Sequence, residues 1–307
     1  MMSSSYQLII IGGGPAGLSA GLYAARSRLH TVLLERAMPG GQIMNAEHVE
    51  NYPGFPEGIS GAELGSLMQQ QALKYGLEIV TAEVEEMGLG GDERIVSTSE
   101  GSYRAKAVII AGGSEHSMLG VPGEEKLRGR GVSYCATCDG AFFRDQVVAV
   151  VGGGNVALND AFFLTRFASR VIVIHRRNQL RATRILQERA FTDNKIEFLL
   201  DTVVDSIEGD DAVKELRLRN LKTREDSSLE VSGVFVAVGL KPNTGYLNGL
   251  LALSPEGFIL VNEHMETGVA GVFAAGDIRE SSVRQVASAV GDGATAAISA
   301  EKYLASI

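Results

Sequence analysis

"LIIIGGGPAGLSAGLYAARSRLHTVLLER" occupies residues 8–36. An aliphatic run leads into Gly12, Gly14 and Gly17, then a stretch with helical spacing, then a β-rich run ending at Glu35. This is the order of a βαβ unit with G-x-G-x-x-G at its first turn. The first glycine makes the tight turn. The second lets backbone approach a pyrophosphate, and the third lets the helix pack on the strand. The helix N-terminus then faces the phosphates with unpaired N–H groups.

The pattern recurs without a gap at an offset of 140. Residues 148–176 read "VAVVGGGNVALNDAFFLTRFASRVIVIHR", so Gly152, Gly154 and Ala157 stand where Gly12, Gly14 and Gly17 do. One glycine fingerprint is weak evidence. Two that each follow a strand, open a helix and reach a second strand predict two dinucleotide-binding units.

The copies differ at the end of the second strand. Glu35 there suits the ribose hydroxyls of an adenosine lacking a 2′-phosphate. The second copy has His175 and continues "HRRNQLRATR". Positions 166–189 carry seven arginines (166, 170, 176, 177, 181, 184 and 189) against one acid, Glu188. Arginine binds phosphate through a planar fork of donors. Arg176, Arg177 and Arg181 are the phosphate candidates; Arg184 and Arg189 also fit a solvated helix face. The first site therefore suits FAD or NAD, and the second NADPH. Three further apolar runs end in small residues: 107–113, 233–239 and "GVFAAGD" (271–277). The last places Asp277 ahead of a helical stretch at 284–297, as a ligand or as a cap of that region.

A length of 307 residues suggests two domains. The net charge of −9 argues against nucleic acid or an anionic membrane as partner. No apolar run is long enough to span a bilayer. The N-terminus has no basic residue before Arg26, unlike a signal peptide. A cytoplasmic protein is expected.

Cys135 and Cys138 of "CATCDG" (135–140) are the only cysteines. Random placement gives this spacing in roughly 1 case in 150 by counting. Two thiolates so placed can form a reversible disulfide or half a zinc site. The chain has no second cysteine pair and no H-x₃₋₅-H, so no metal is expected. Two buried apolar cysteines remain the plain alternative.

With these residues in view, the chain resembles the low-molecular-weight thioredoxin reductases of the two-dinucleotide-fold flavoproteins. The resemblance runs through "GGGPAG", "GGQIMNAEHVENYPGF" (40–55), "CATCDG", "GGGNVA", "HRRNQLRA", "GLKPNT" and "AGDIRESSVRQVASAVGDGATAA". It implies an α/β fold of two Rossmann-like domains, the second inserted into the first. Residues 1–116 and 246–307 would bind FAD; residues 117–245 would bind NADPH and carry the cysteines. It further implies a flavin site with Asp277 on the ribityl chain and Gln42, Asn51, Arg284 and Gln285 at the cofactor. Cys135 and Cys138 would be the redox pair and Asp139 the proton donor, though "DG" alone is also a turn signal. The 2′-phosphate pocket would be His175, Arg176, Arg177 and Arg181. The implied substrate is thioredoxin and the implied assembly a homodimer. A thioredoxin-like protein or peroxiredoxin partner, or a flavin-based redox sensor, stays open as an alternative. The intact "HRRNQLRA" argues against a ferredoxin donor. Both the pair and the NADPH site fall in one domain, which implies rotation about hinges at 113–120 and 241–247. "AGGS" (111–114), "LND" (158–160), His116 and Ser117 depart from the common family pattern.

Overall fold

The structure, a computed structural model, describes residues 4–46 and 48–307. Residues 1–3 of the expected first domain and Glu47 of the 40–55 loop lie outside these. The chain divides into two compact units. One runs up to Glu115 and resumes over Lys241–Ile307; the other is His116–Leu240. The return falls at Lys241, earlier than the expected 246. Residues 241–247 belong to the first unit because Asn243 bonds its backbone. The Asn243 amide donates to Gly112 O at 2.9 Å and its N–H to Gly113 O at 3.1 Å. Leu247 is buried in that unit's core.

In the first unit, β1 (Ser4–Ile11) lies between β2 (Thr31–Glu35) and β6 (Gly101–Ile110), and β3 (Glu78–Thr81) flanks β2, all parallel. Beyond β6 the sheet forks. Its N-terminal half pairs antiparallel with β5 (Glu93–Thr98), itself paired with β4 (Val84–Gly90). Its C-terminal half pairs parallel with β17 (Val272–Ala274). Successive strand residues point to opposite faces. Leu8 and Ile10 accordingly join one core with α1 (Pro15–Arg26) and α6 (Val286–Ala305), and Ile9 and Ile11 another with Met87, Val96 and Ile278. Pro15 opens α1, where its missing N–H costs nothing. The Ser19 hydroxyl donates to Val290 O at 2.8 Å and ties α1 to α6. Helix α2 (Gly61–Lys74) packs on α1. The chain leaves through β7 (Ser114–His116), which pairs with the returning β16 (Leu240–Pro242).

The second unit repeats the plan. A parallel sheet has the order β11 (Ile196–Leu199), β10 (Arg170–Ile174), β9 (Val147–Val151), β15 (Gly233–Val236), β8 (Val132–Ser133). Between β9 and β10 runs α4 (Asn155–Leu164), the counterpart of α1. Helix α5 (Arg184–Thr192) follows β10. An antiparallel meander of β12 (Thr202–Gly209), β13 (Val213–Asn220) and β14 (Asp226–Glu230) completes the unit. One turn of helix, α3 (Ala136–Asp139), follows β8 and packs on α4.

Candidate active site

The cysteines form a disulfide with Cα atoms 5.3 Å apart. Cys135 is the extended N-cap of α3, and Cys138 lies in that single turn. The turn is what brings positions three apart together. Cys135 Sγ accepts from the Cys138 N–H at 3.2 Å, and Cys135 O accepts from the Asp139 N–H at 3.1 Å. Cys138 is exposed and Cys135 half-buried. A disulfide at the surface is within reach of an attacking thiolate.

Asp139 closes the turn. Burial lifts its carboxyl above the usual carboxylate range, opposed by a hydrogen bond from Ser133. Ser133 Oγ stands 2.6 Å from Asp139 Oδ2 and accepts from the Cys135 N–H at 3.0 Å. Between them, Tyr134 donates to Glu124 Oε1 at 2.7 Å. Glu124 is buried and also accepts from the Leu119 and Gly120 N–H groups at 2.9 and 2.8 Å. The segment entering this unit and the approach to the cysteines thus share one carboxylate.

The glycine loop of the same unit lies at the C-terminal end of β9, where ligands of open α/β sheets sit. Helix α4 has Gly154 as N-cap, no side-chain cap and no acid in its first turn. Its first N–H groups suit an anion. Gly152 begins the turn with φ +157°. His175 is buried over the loop, its ring 2.4 Å from where a Gly153 Cβ would stand. Burial pushes the imidazole below its usual range, and Arg181, Arg177 and Arg176 push the same way. His175 Nε2 is buried without a hydrogen-bond partner. The Arg181 N–H donates to Gly153 O at 2.6 Å, which brings that arginine to the loop. Arg176, Arg177 and Arg181 are exposed, and among the described residues none is in an ion pair. Other arginines of the run have structural partners. Arg170 pairs with Glu197, Arg166 lies over Phe163 and Arg189 over Phe162. A cationic rim, an uncapped helix and an orphan imidazole nitrogen together fit a phosphorylated nucleotide.

In the first unit, Gly12 has φ +101°, and a Cβ on Gly17 would stand 1.8 Å from Gly12 O. Neither position admits a side chain. Gly14 is the N-cap of α1, again without a side-chain cap. Glu35 Oε2 accepts from the Gly13 N–H at 2.6 Å and Oε1 from the Ala37 N–H at 3.1 Å, which fixes the acid at the loop. Segment 40–45 folds onto the loop through Gly40 N–H to Gly13 O at 2.8 Å. The Gln42 amide donates to Ser114 O. Asn51 donates to Gln285 Oε1 at 3.1 Å, and Gln285 is the N-cap of α6 in a capping box with Ser288. Asp277 lies in a tight turn ahead of that helix and does not cap it. Burial raises its carboxyl, while the Ser282 hydroxyl, 3.0 Å away, opposes the rise. Arg284 holds a left-handed φ of +54° over the Phe258 ring, with Nε buried and unpartnered. The Tyr246 hydroxyl is also buried without a partner, beside Gly112. These orphan donors and the uncapped helix suit a large ligand carrying phosphate and acceptor groups.

Ser133, Glu124, Tyr134, Asn243, Tyr246, Arg279 and Asp292 escaped the sequence reading. Asn243 and Tyr246 lie in or beside "GLKPNT", which was a usable signal. Arg279 and Asp292 likewise lie within the quoted stretch 275–297, while Ser133, Glu124 and Tyr134 matter through partners that only folding supplies.

A family model described as "Pyridine nucleotide-disulphide oxidoreductase" matches residues 6–293. The chain is 47% identical over 309 residues to the thioredoxin reductase of Streptomyces coelicolor, covering 100% of this chain and 96% of that one. It is 46% identical to the bifunctional thioredoxin reductase/thioredoxin of Mycobacterium leprae, covering 98% of this chain and 66% of that one. The crystal structure of the thioredoxin reductase of Streptococcus pyogenes matches with a TM-score of 0.95 at 47% identity, covering 99% of each chain.

Proposed function

The chain belongs to the pyridine nucleotide-disulphide oxidoreductase family, and on that premise we propose that it is an NADPH-dependent thioredoxin-disulfide reductase. The observation that carries this is the Cys135–Cys138 disulfide with the half-buried Asp139 beside it. It lies in the same compact unit as an arginine-rimmed dinucleotide loop. The proposed net reaction is NADPH + H⁺ + oxidised thioredoxin → NADP⁺ + reduced thioredoxin. FAD, when bound, supplies the relay of electrons from NADPH to the disulfide.

The residues divide as follows. Gly12, Gly14 and Gly17 with the α1 N-terminus hold the FAD pyrophosphate, and Glu35 the ribose. Asp277 holds the ribityl chain; Gln42, Asn51, Arg284 and Gln285 border the flavin. Gly152 and Gly154 take the NADPH pyrophosphate, and His175, Arg176, Arg177 and Arg181 its 2′-phosphate. By the family pattern, Cys138 would be the sulfur nearer a bound flavin. Cys135 attacks the partner's disulfide, and Asp139 holds or yields the proton. The first unit is thus the FAD domain and the second the NADPH domain. On the family resemblance, the redox pair and a bound nicotinamide would reach a bound flavin by turns, and a lock holding Cys138 at the flavin would block reduction by NADPH.

Thioredoxin as substrate is supported by the Mycobacterium leprae relative, whose name joins the two activities in one chain. Among the described residues no helix is long and apolar enough to cross a membrane. We place the enzyme in the cytoplasm as a homodimer, the first on its cysteine usage and charge, the second on the family resemblance.

The test is direct. Purified protein should be yellow, and NADPH oxidation should proceed on adding oxidised thioredoxin. A colourless protein that takes up no FAD overturns the reading. Turnover with a peroxiredoxin but not thioredoxin moves the partner and keeps the chemistry.

A further inference from the structure

We propose that Ser133 is a positioning residue for the redox centre, its hydroxyl satisfying the Asp139 carboxyl in both protonation states. This rests on the disulfide-reductase reading above. Ser133 is 5% exposed, at the end of β8. Its Oγ stands 2.6 Å from Asp139 Oδ2, accepts from the Cys135 N–H at 3.0 Å and lies 3.3 Å from Cys135 O. Among the described residues it is the one hydrogen-bond partner of the Asp139 side chain.

A serine hydroxyl has one proton and two acceptor sites. With Asp139 ionised, the Ser133 O–H donates to the carboxylate and Oγ accepts from the Cys135 N–H. With Asp139 protonated, the carboxyl O–H donates to Oγ and the serine proton turns to Cys135 O. Neither state strands a buried polar group, which would cost about 1–3 kcal/mol.

Opening the disulfide breaks the S–S bond with two electrons delivered from NADPH. One sulfur takes the Asp139 proton and becomes a thiol. The other remains a thiolate, and Asp139 is left ionised. The serine proton swings to Asp139 as that charge appears.

The elements packed on α3 are α4 and the turn 140–143. The first bears Asp160 as its one ionisable side chain, and the second bears none. The causes that set Asp139 apart are burial and Ser133, with no charged neighbour among them. Asp160 itself changes charge at about pH 7, so the Ser133 series is repeated in Asp160→Asn, where the Ser133 effect should persist.

The test uses the flavin-loaded enzyme. NADPH is mixed anaerobically, and new thiols are trapped by acid quench and labelled, from about pH 5.5 to about pH 9, the range open to a buried carboxyl. Disulfide opening needs protonated Asp139, so the rate falls on the alkaline side. The substitution removes the bond in both protonation states, but the bond to the charged carboxylate is the stronger of the two, so the net effect is to raise the pKa. Ser133→Ala should move the alkaline limb up by about one pH unit. Ser133→Thr should restore the wild-type limb and Ser133→Val, of the same shape, should not. That pair decides the matter should alanine fail to fold. In Asp139→Asn, Ser133→Ala should add no shift. A limb unmoved in Ser133→Ala and Ser133→Val, or a uniform loss of rate at every pH, overturns the proposal alone. A wild-type enzyme that forms no thiols at any pH overturns the reductase reading and this proposal with it.

Discussion

Arg279 closes two hydrogen bonds on Asp292, Nε to Oδ2 at 2.6 Å and Nη2 to Oδ1 at 2.9 Å. Asp292 Oδ2 also accepts from the Gly276 N–H at 3.1 Å. Side-chain exposures of 15% and 9% make this a largely buried pair, with Asp292 the buried partner. It pins the turn bearing Asp277 to α6, so that Asp277 is held by a neighbour's ion pair.

Truncating one partner leaves a buried charge uncompensated. Arg279→Ala should cost about 3–5 kcal/mol, read as a lower Tm, and should weaken FAD retention on dilution. Exposed pairs such as Lys214–Asp210, solvated and screened by salt, contribute little by comparison. A loss as small as that for Arg279→Ala would show that the turn does not depend on the pair.

Either Cys135→Ser or Cys138→Ser should abolish thioredoxin reduction. Bleaching of the flavin by NADPH should survive, since that electron transfer does not use the cysteines. Thioredoxin turnover at the normal rate in either variant would make the disulfide structural.

The second unit's arginines should discriminate between nucleotides. Charge-assisted hydrogen bonds contribute about 1.5–3 kcal/mol. Arg176→Ala with Arg177→Ala should then cut kcat/KM for NADPH about 10- to 100-fold and change that for NADH little. Arg189→Ala, which removes only a stack on Phe162, should affect the two nucleotides alike. Equal losses with both nucleotides in the double variant would place the 2′-phosphate elsewhere.

Asp160 carries a pH-dependent cost. Burial pushes its carboxyl up to about 7, against about 3.9 in the unfolded chain. The folded state thus prefers the protonated form. The resulting penalty is absent below about pH 4, grows between about pH 4 and 7, and is full above. Asp160→Asn should gain stability relative to wild type at about pH 8 by roughly 2–4 kcal/mol over its value at about pH 4. The difference between pH values cancels the cost of the amide itself. A variant-to-wild-type gap in Tm that stays constant with pH would show that Asp160 titrates as a solvated carboxyl.

Much of the architecture was legible because it is local. Residues 8–36 and 148–176 each contain a strand, its turn, a helix and a second strand, so periodicity and glycine spacing sufficed. The arginine run was legible as a charge reversal. The sorting of its members was not. Arg166, Arg170 and Arg189 proved to have partners, at Phe163, Glu197 and Phe162, that only packing supplies.

What the sequence determined by itself was chemistry encoded in contiguous residues. These are the duplicated dinucleotide loops, the close cysteine spacing, and an acid at the end of one second strand against a histidine at the other. What only tertiary structure decided was the pairing of distant groups. Asn51 meets Gln285 across 234 positions. Asn243 meets Gly112 across 131, which moves the unit boundary to Lys241. Even Ser133, six positions from Asp139, reaches it only because β8 ends and α3 turns the chain back. For Asn243 and Ser133, whose contacts are part-buried, the physical reason is the same. A polar side chain carries no information about its partner until burial removes water as the alternative.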